Sequence, residues 1–485
     1  MSSERVKVVI VGSGFAGICM AIKLRELGIT DFVILERADA LGGTWRDNHY
    51  PGCACDVPSY LYSYSFAPST DWSRMYAESA EIRAYLERVA ADFEVKPHLR
   101  FQAELSQARW DEGSARWEVQ TSDGRAWSAE HLVLGMGGLS RPALPNIPGR
   151  EDFQGPSFHS AAWRHDVVLT DRRVGVIGTG ASAIQFVPHV AEAAGRTYVF
   201  QRSAPWIMPK RDRPFTPREQ RMLKRIPGAA TMYRGWIYGS QEIKALGFAN
   251  GSRMMQLGER LALKHLHEQV KDPGLREKLT PNYRMGCKRV LLSNDYYPAM
   301  TRPDLELVTT GIRRITEDGV ELIDGTRQQL DVLIYGTGFL VHEYVGRADI
   351  RGIGGQSLAD LWKKGAEAYL GTTVAGFPNL FVLVGPNTGL GHNSIVFMIE
   401  SQVRYVVGAL EHMRDHGLRT VAVRPEVQAG FNAQLVDRLE DTVWASGCQS
   451  WYRDENGRNS TLWPGFTFEF RARTLSFDPE SYTAS

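Results

Sequence analysis

The sequence predicts an α/β chain built on two nucleotide-binding βαβ units with a helical subdomain inserted, and three observations predict it. First, the apolar run Val8–Val11 passes through Gly12-Ser-Gly14-Phe15-Ala16-Gly17 into a helical stretch ending near Gly28, and a second apolar run, Phe32–Leu35, stops at Glu36-Arg37. Second, the pattern recurs: Val174–Ile177 leads into Gly178-Thr179-Gly180-Ala181-Ser182-Ala183, a helix, and a strand Thr197–Phe200 that ends at Gln201-Arg202-Ser203. Third, between Arg211 and Arg289 the strand pattern gives way to helical spacing, as in Met254, Leu257 and Leu261.

Strand, glycine turn, helix, strand and acid, in that order, make a Rossmann-like dinucleotide fingerprint. Gly12 allows the tight turn, Gly14 lets the backbone approach a pyrophosphate at the helix N-terminus, and Gly17 permits close packing of helix on strand. Glu36 is placed to accept hydrogen bonds from a ribose diol. In the second unit Arg202 stands at the same offset from its first glycine as Glu36 does in the first. An acid suits a free ribose hydroxyl and an arginine suits a 2′-phosphate. The first unit therefore reads as an FAD site and the second as an NADPH site.

The 485 residues suffice for about three domains of ordinary size. A net charge of +1 gives no global case for nucleic acid or a membrane surface. The partners expected are small molecules, and the number of subunits is left open. Five scattered cysteines (19, 53, 55, 287 and 448) do not read as a disulfide framework, which points to a reducing cytoplasm. The chain runs almost at once into its first strand, with no expected signal peptide, and no apolar run approaches membrane-spanning length.

Taken in order, a loop follows Glu36: Leu41-Gly-Gly43-Thr44-Trp45, then Tyr50-Pro-Gly-Cys-Ala-Cys-Asp56, with Tyr62 close behind. Trp45 and Tyr62 offer flat faces for an isoalloxazine ring, and Asp56 is a charge among apolar neighbours; a core loop with a satisfied carboxylate is an equal reading. An amphipathic helix is expected over Ala80–Phe93, strands over Leu99–Leu105 and Arg116–Gln120, and a buried strand His131–Leu134 ending in glycines. His159, with no metal-ligand spacing around it, reads as a hydrogen-bonded hinge residue. From Arg211 to Arg289 there are 17 Lys and Arg against 7 Asp and Glu, read as a solvated basic face or a methionine-rich wall over the active site. Lys288 and Arg289 sit at a loop-to-strand junction before Val290–Leu292, suited to phosphate or oxyanion work or to a plain surface role. Asp331–Phe339 closes the second unit. Leu380–Val384 then enters a glycine-rich turn and an apolar helix from Ile395, whose N-terminus favours partial negative charge such as a reduced flavin's pyrimidine edge. The expected segments are 1–145 (FAD), 146–210 (NADP), 211–285 (helical insertion), 286–371 (NADP, continued) and 372–485 (FAD, continued).

On these residues the sequence resembles the Baeyer-Villiger monooxygenases, a branch of the class B flavoprotein monooxygenases, over nearly its whole length. Gly42-Gly43-Thr44-Trp45 through Tyr50-Pro-Gly52 to Asp56 fits the longer family fingerprint at every specified position. The shorter one is met at Phe153, Gly155, His159 and Trp163, with Arg164 where proline or aspartate is usual. The resemblance implies that Arg289 is the active-site arginine and Asp56 its partner. It also implies that Lys288 helps hold the 2′-phosphate, and that Trp45, Tyr62, Leu105 and Ile395 line the flavin. Trp163, where heteroatom-oxidising relatives carry tyrosine or phenylalanine, points to ketone oxidation. The implied reaction uses NADPH, FAD and O2 to insert one oxygen beside a ketone carbonyl through a flavin C4a-peroxide, giving an ester or lactone. An arginine suits that reaction because it cannot give its proton away to the peroxide. The alternatives are a flavin N- or S-monooxygenase and a pyridine nucleotide-disulfide reductase. The second needs a redox cysteine pair beside the flavin, which Cys53-Ala-Cys55 does not supply by spacing. A nucleotide sensor without catalysis is least consistent with two complete cofactor units.

Overall fold

The computed structural model describes residues 3–249, 251–448, 450–454 and 456–485. Its larger sheet has eight strands. Seven run in the order Asp349–Arg351, Leu105–Asp111, Arg116–Thr121, Ala126–Leu134, Glu4–Val11, Phe32–Leu35 and Leu99–Arg100, and Leu380–Val382 also pairs with Ala126–Leu134. Around the first strand all pairing is parallel, with Val8–Val11 matched to Phe32–Leu35 on one side and His131–Leu134 on the other. Residues Val8 to Val11 are all buried, because helices or further strands cover both faces, which is why the run carries no polar alternation. Val8 and Ile10 face one core with the helices Phe15–Glu26 and Ile395–His416; Val9 and Val11 face a second with Leu105, Trp117 and Ile350.

A second sheet of five parallel strands has the order Leu305–Val308, Arg196–Phe200, Arg173–Ile177, Val332–Tyr335 and Ser157–His159. Its crossover helix is Ala183–Ala193. Between Met208 and Leu291 lie the helices Pro217–Arg225, Ala229–Glu242, Arg253–Gln269 and Pro273–Leu279. The two ends of that excursion are closed by a short parallel pairing of Ile207–Met208 with Leu291–Leu292.

Three sequence expectations are corrected. The strand expected over Leu99–Leu105 is two: Leu99–Arg100 ends one edge of the first sheet and Leu105–Asp111 starts a meander on the other side, with Gln102 at a left-handed φ of 53° breaking the run between them. The chain rejoins the first sheet at Asp349–Arg351, well before residue 372, through a three-residue strand too short to show a period. The cysteines are not all free. Cys287 and Cys448 are disulfide-bonded across 161 residues, a pairing that chain separation hid, while Cys19, Cys53 and Cys55 are free and buried. A three-stranded antiparallel ribbon, Ile312–Thr316, Gly319–Leu322 and Arg327–Gln329, was not anticipated.

Candidate active site

In the first unit the three glycines meet different constraints. A Cβ on Gly17 would lie 1.9 Å from the Gly12 carbonyl oxygen, and one on Gly12, whose φ is +97°, would lie 2.5 Å from that of Gly135. Gly14 is different: its added Cβ would meet only Gly43 Cα, at 3.7 Å. The first and third glycines are thus required by the fold, whereas the second, paired with Gly43, leaves open backbone at the helix N-terminus, the cradle a pyrophosphate needs. Glu36 is buried and its carboxylate is well occupied. Oε2 accepts from the Ser13 amide (3.0 Å) and hydroxyl (2.7 Å), and Oε1 accepts from the Ala38 amide (3.0 Å) and meets Arg46 at 2.9 Å. Burial pushes its pKa up, but Arg46 and these donors more than reverse that and hold it below the usual range. A ribose hydroxyl would have to share this carboxylate with Ser13 or Arg46, which the sequence reading did not foresee. Arg37 is exposed, bonded to the Ser140 carbonyl at 2.8 Å.

The loop after this unit folds back over the start of the first helix. The Trp45 indole donates to the Tyr62 hydroxyl at 3.2 Å, with the rings edge to face at 5.4 Å, and Phe15 meets Tyr62 at 5.2 Å. Thr44 opens the short helix Thr44–Asp47 directly after Gly43. Burial pushes the Tyr62 phenol well above its usual value, so this ring stays a neutral wall. Further along, Tyr50 donates to the Gln185 side chain at 2.9 Å, and Gln185 donates to the Ala54 carbonyl at 3.0 Å. That glutamine, on the crossover helix of the second unit, therefore docks the loop carrying Asp56. Trp163 packs beside Tyr50 and Phe186 at the same junction. The His159 ring accepts from the Ala161 amide at 3.1 Å, a hinge contact.

In the second unit Gly178, at φ +111°, would place a Cβ 2.4 Å from the Gly336 carbonyl, while one on Gly180 would have nothing closer than 4.0 Å. This repeats the division of labour seen at Gly12 and Gly14. Ser182 directly precedes the helix that Ala183 opens, without a side-chain capping bond, and Ala181 is exposed beside it. Thr179 donates to the Ser203 carbonyl at 3.3 Å, and the Lys288 ammonium donates to the Ser203 hydroxyl at 3.0 Å. Burial, then the charge of Arg202, lower the Lys288 pKa. Arg202 is exposed and makes no side-chain hydrogen bond among the described residues. Two cations and a serine thus face a common space at the end of the strand Arg196–Phe200, a donor set that fits a 2′-phosphate.

Between the units lies the Arg289–Asp56 pair. Nε and Nη2 of Arg289 both donate to Oδ2 of Asp56, at 2.8 and 2.6 Å, and about a third of each side chain stays accessible (30% and 33%). Nη1 makes no hydrogen bond among the described residues, so one end of the guanidinium is anchored and the other is open to a ligand. Burial alone would raise the Asp56 pKa; Arg289, with Lys210 behind it, holds it below the usual range. The Asp56 charge in turn raises that of Arg289 against the effect of burial, fixing a permanent cation.

The structure pairs Asp56 with Arg289, Trp45 with Tyr62, and Lys288, next to Arg289 in the chain, with Ser203. Leu105 is not with them: it belongs to the core on the far face of the first sheet, against Val11 and Leu35, whereas Trp45, Tyr62 and Ile395 border the near one. The sequence reading missed Gln185, Lys244 and Tyr452. Burial lowers the Lys244 pKa, with the Asp56 charge opposing. Tyr452 is buried, its phenol pushed up to about 12 by burial, with Arg289 opposing. Neither carries a local signature, since each reaches the pair from a distant segment.

The family described as pyridine nucleotide-disulphide oxidoreductase matches residues 9–234. A Baeyer-Villiger monooxygenase of Pseudomonas aeruginosa is 47% identical over 99% of this chain and 92% of its own. Another, of Streptomyces coelicolor, is 45% identical over the same shares. Among solved structures, an OTEMO complex with FAD and NADP superposes with a TM-score of 0.90 at 27% identity, covering 100% of both chains. The disulphide chemistry in the matched family's description has no counterpart at Cys53 and Cys55. Burial pushes the Cys53 thiol up to about 11 and the Cys55 thiol higher still, leaving neither as a thiolate.

Proposed function

The chain belongs to the Baeyer-Villiger monooxygenases, and from that premise we propose that it binds FAD in the first unit and NADPH in the second and converts a ketone to an ester or lactone beside Arg289. When bound, the flavin, reduced by NADPH, activates O2 so that one oxygen atom reaches the carbonyl carbon and the other leaves as water. Everything else is work for the chain. Gly14, Phe15, Ala16 and the first helix N-terminus would hold the FAD pyrophosphate, with Gly43 and Thr44 against it, Glu36 and Arg37 near the ribose, and Trp45 and Tyr62 flanking the ring. The Ile395 helix end would face the pyrimidine side. Gly178, Thr179, Gly180 and the turn Ala181-Ser182-Ala183 would hold the NADPH pyrophosphate, and Arg202, Ser203 and Lys288 its 2′-phosphate.

Arg289 supplies a cation that cannot act as an acid. Its open Nη1 can donate to the developing oxyanion while Asp56 fixes the plane of the fork. The observation that carries this reading is that arrangement: one guanidinium edge spent on a carboxylate from the first unit, the other edge free. No described helix is long and apolar enough to cross a membrane; the use of NADPH supports a cytoplasmic setting.

The test is Arg289→Ala with a panel of linear, cyclic and aryl ketones, following ester by gas chromatography and NADPH by absorbance. Loss of one preorganised donor costs about 10²–10³ in rate, so ester should fall at least that far while flavin stays bound and O2 is diverted to hydrogen peroxide. Ester formation near the wild-type rate would remove Arg289 from the site.

A further inference from the structure

The disulfide joins two places that meet at the site. Cys287 lies two residues before Arg289, in Gly286-Cys287-Lys288-Arg289, and Cys448 lies four residues before Tyr452. Cys287 is 1% exposed and packs in a small core with Leu439, Val443, Trp444, Tyr452 and Leu462. Trp444 stacks on Phe248 at 4.9 Å, so the late segment also covers the inserted helical region. Cys448 differs from its partner: it is only partly buried and lines a cleft of about 510 Å³ with Trp206, Glu259, Tyr283, Arg284 and Gly447. Of the two bridged residues, Cys448 is therefore the one that faces solvent and Cys287 is sealed inside.

We propose that Cys287–Cys448 is a reversible thiol–disulfide site, opened by small dithiols and closed by hydrogen peroxide, that ties the Cys448–Tyr452 segment to the arginine-bearing segment. Opening begins with attack of an external thiolate on Sγ of Cys448, the residue that faces solvent. The S–S bond breaks, Cys287 leaves as a thiolate, and the incoming sulfur is held in a mixed disulfide. The positive charge of Lys288 and Arg289, next in the chain, favours that leaving thiolate. The second thiol of the dithiol then displaces Cys448, so the dithiol is oxidised to its own disulfide and both protein cysteines end reduced. Closure runs through peroxide. The thiolate attacks one oxygen and expels hydroxide to give a sulfenic acid. The other cysteine then displaces the remaining oxygen as water, so that two thiols and one H2O2 become one disulfide and two waters. Cys19, Cys53 and Cys55 are buried and take no part.

With the tether open, the segment that packs Tyr452 and Trp444 near the ion pair is held only by side-chain contacts. Such a segment samples open states more often, and the site admits more water. This consequence rests on the reading of Arg289 as the site's cation; the redox chemistry does not.

The experiment uses full-length FAD-loaded protein without denaturant, treated with hydrogen peroxide or with dithiothreitol, then alkylated and weighed after unfolding. Peroxide-treated protein should show three alkylatable thiols and dithiothreitol-treated protein five, interconverting over repeated cycles with flavin retained. The reduced form should release about threefold or more hydrogen peroxide per NADPH, and Cys448→Ser should reproduce that value and no longer respond to dithiothreitol. Five thiols in the peroxide-treated protein, or a bridge that opens only on unfolding, would overturn the site. Thiol counts that change as expected with identical peroxide release in both forms would overturn the tethering role. Neither result bears on ester formation by Arg289, which Arg289→Ala tests separately.

Discussion

Replacing Asp56 by asparagine keeps the size of the side chain and removes its charge, which isolates what the carboxylate does for Arg289. Both bonds of the pair end on one oxygen, at 2.8 and 2.6 Å. A hydrogen bond with a charged partner is worth about 1.5–3 kcal/mol, and with the guanidinium still charged the exchange moves each bond from the upper toward the lower end of that range, a cost of roughly 1–1.5 kcal/mol per bond. Two bonds sharing one acceptor, with about a third of each side chain accessible (30% and 33%), do not sum fully, and solvent screening discounts them further. The working figure is about 1–2 kcal/mol for the pair, or roughly 5- to 30-fold in the population of the anchored arginine. The cation itself survives, since arginine stays protonated without a partner. Asp56→Asn should therefore lower kcat for ester formation by about that factor, with KM for NADPH and flavin content little changed, and raise the fraction of NADPH spent on hydrogen peroxide. The assay pairs gas chromatography of the ester with a peroxide-coupled colour reaction on the same samples. A double-mutant cycle with Arg289→Lys should give a coupling of about 1–2 kcal/mol. Wild-type kcat and peroxide yield in Asp56→Asn, or additive effects in the cycle, would refute the orienting role.

Three further outcomes are expected. Arg202→Ala should weaken use of NADPH by about ten- to a hundredfold or slightly more while leaving NADH use unchanged, because a charge-assisted bond to phosphate is worth about 1.5–3 kcal/mol; equal loss with both nucleotides in steady-state assays would refute the 2′-phosphate assignment. Gly14→Ala should yield folded protein with a near wild-type circular dichroism melt and poor flavin retention, its Cβ being 3.7 Å from the nearest atom. Gly17→Ala, 1.9 Å from the Gly12 carbonyl, should fail to fold, and equal damage in the melts of both would contradict the cradle. His131 is buried with its pKa pushed down to about 3 by desolvation, then by the charges of Arg116 and Lys7. The unfolded chain binds that proton near pH 6.5 and the folded one does not, so stability falls as pH drops from about 6.5 toward 3, by up to about 1.4 kcal/mol per unit. His131→Gln should flatten that part of a denaturant midpoint-versus-pH curve, and an unchanged curve would show that other groups dominate.

Much of the fold was legible because its decisive signals are local. A strand buried on both faces writes itself as an unbroken apolar run, as at Val8–Val11 and Val332–Tyr335, and each is followed within a few residues by glycines that the backbone requires. The helix Ser79–Asp92 was legible through its period, and the helix Ile395–His416 through the glycine-rich turn that precedes it. What failed was short or distant. Asp349–Arg351 is three residues long and has no period to read. The turn at Gln102 needs a left-handed residue that nothing in its side chain announces.

The site follows the same division, and that decides how far its parts can be trusted to act alone. Gly14 and Gly180 do their work inside a single turn, so a sequence displays each complete. Asp56 and Arg289 are 233 residues apart, and the sequence shows only two unremarkable charges; what makes them a unit is the docking of one loop onto another unit's helix through Tyr50 and Gln185. A cation positioned in this way depends on every contact that keeps the two units in register. Its orientation is set by Asp56 from the first unit, while its backbone is set by the strand Leu291–Leu292 and by Cys287 in the second. Small displacements between the units would therefore move the open Nη1 edge relative to Trp45 and Tyr62 without breaking any local motif. The reactive geometry is a property of the junction, and the residues that tune it lie in segments whose sequences carry no mark of chemistry.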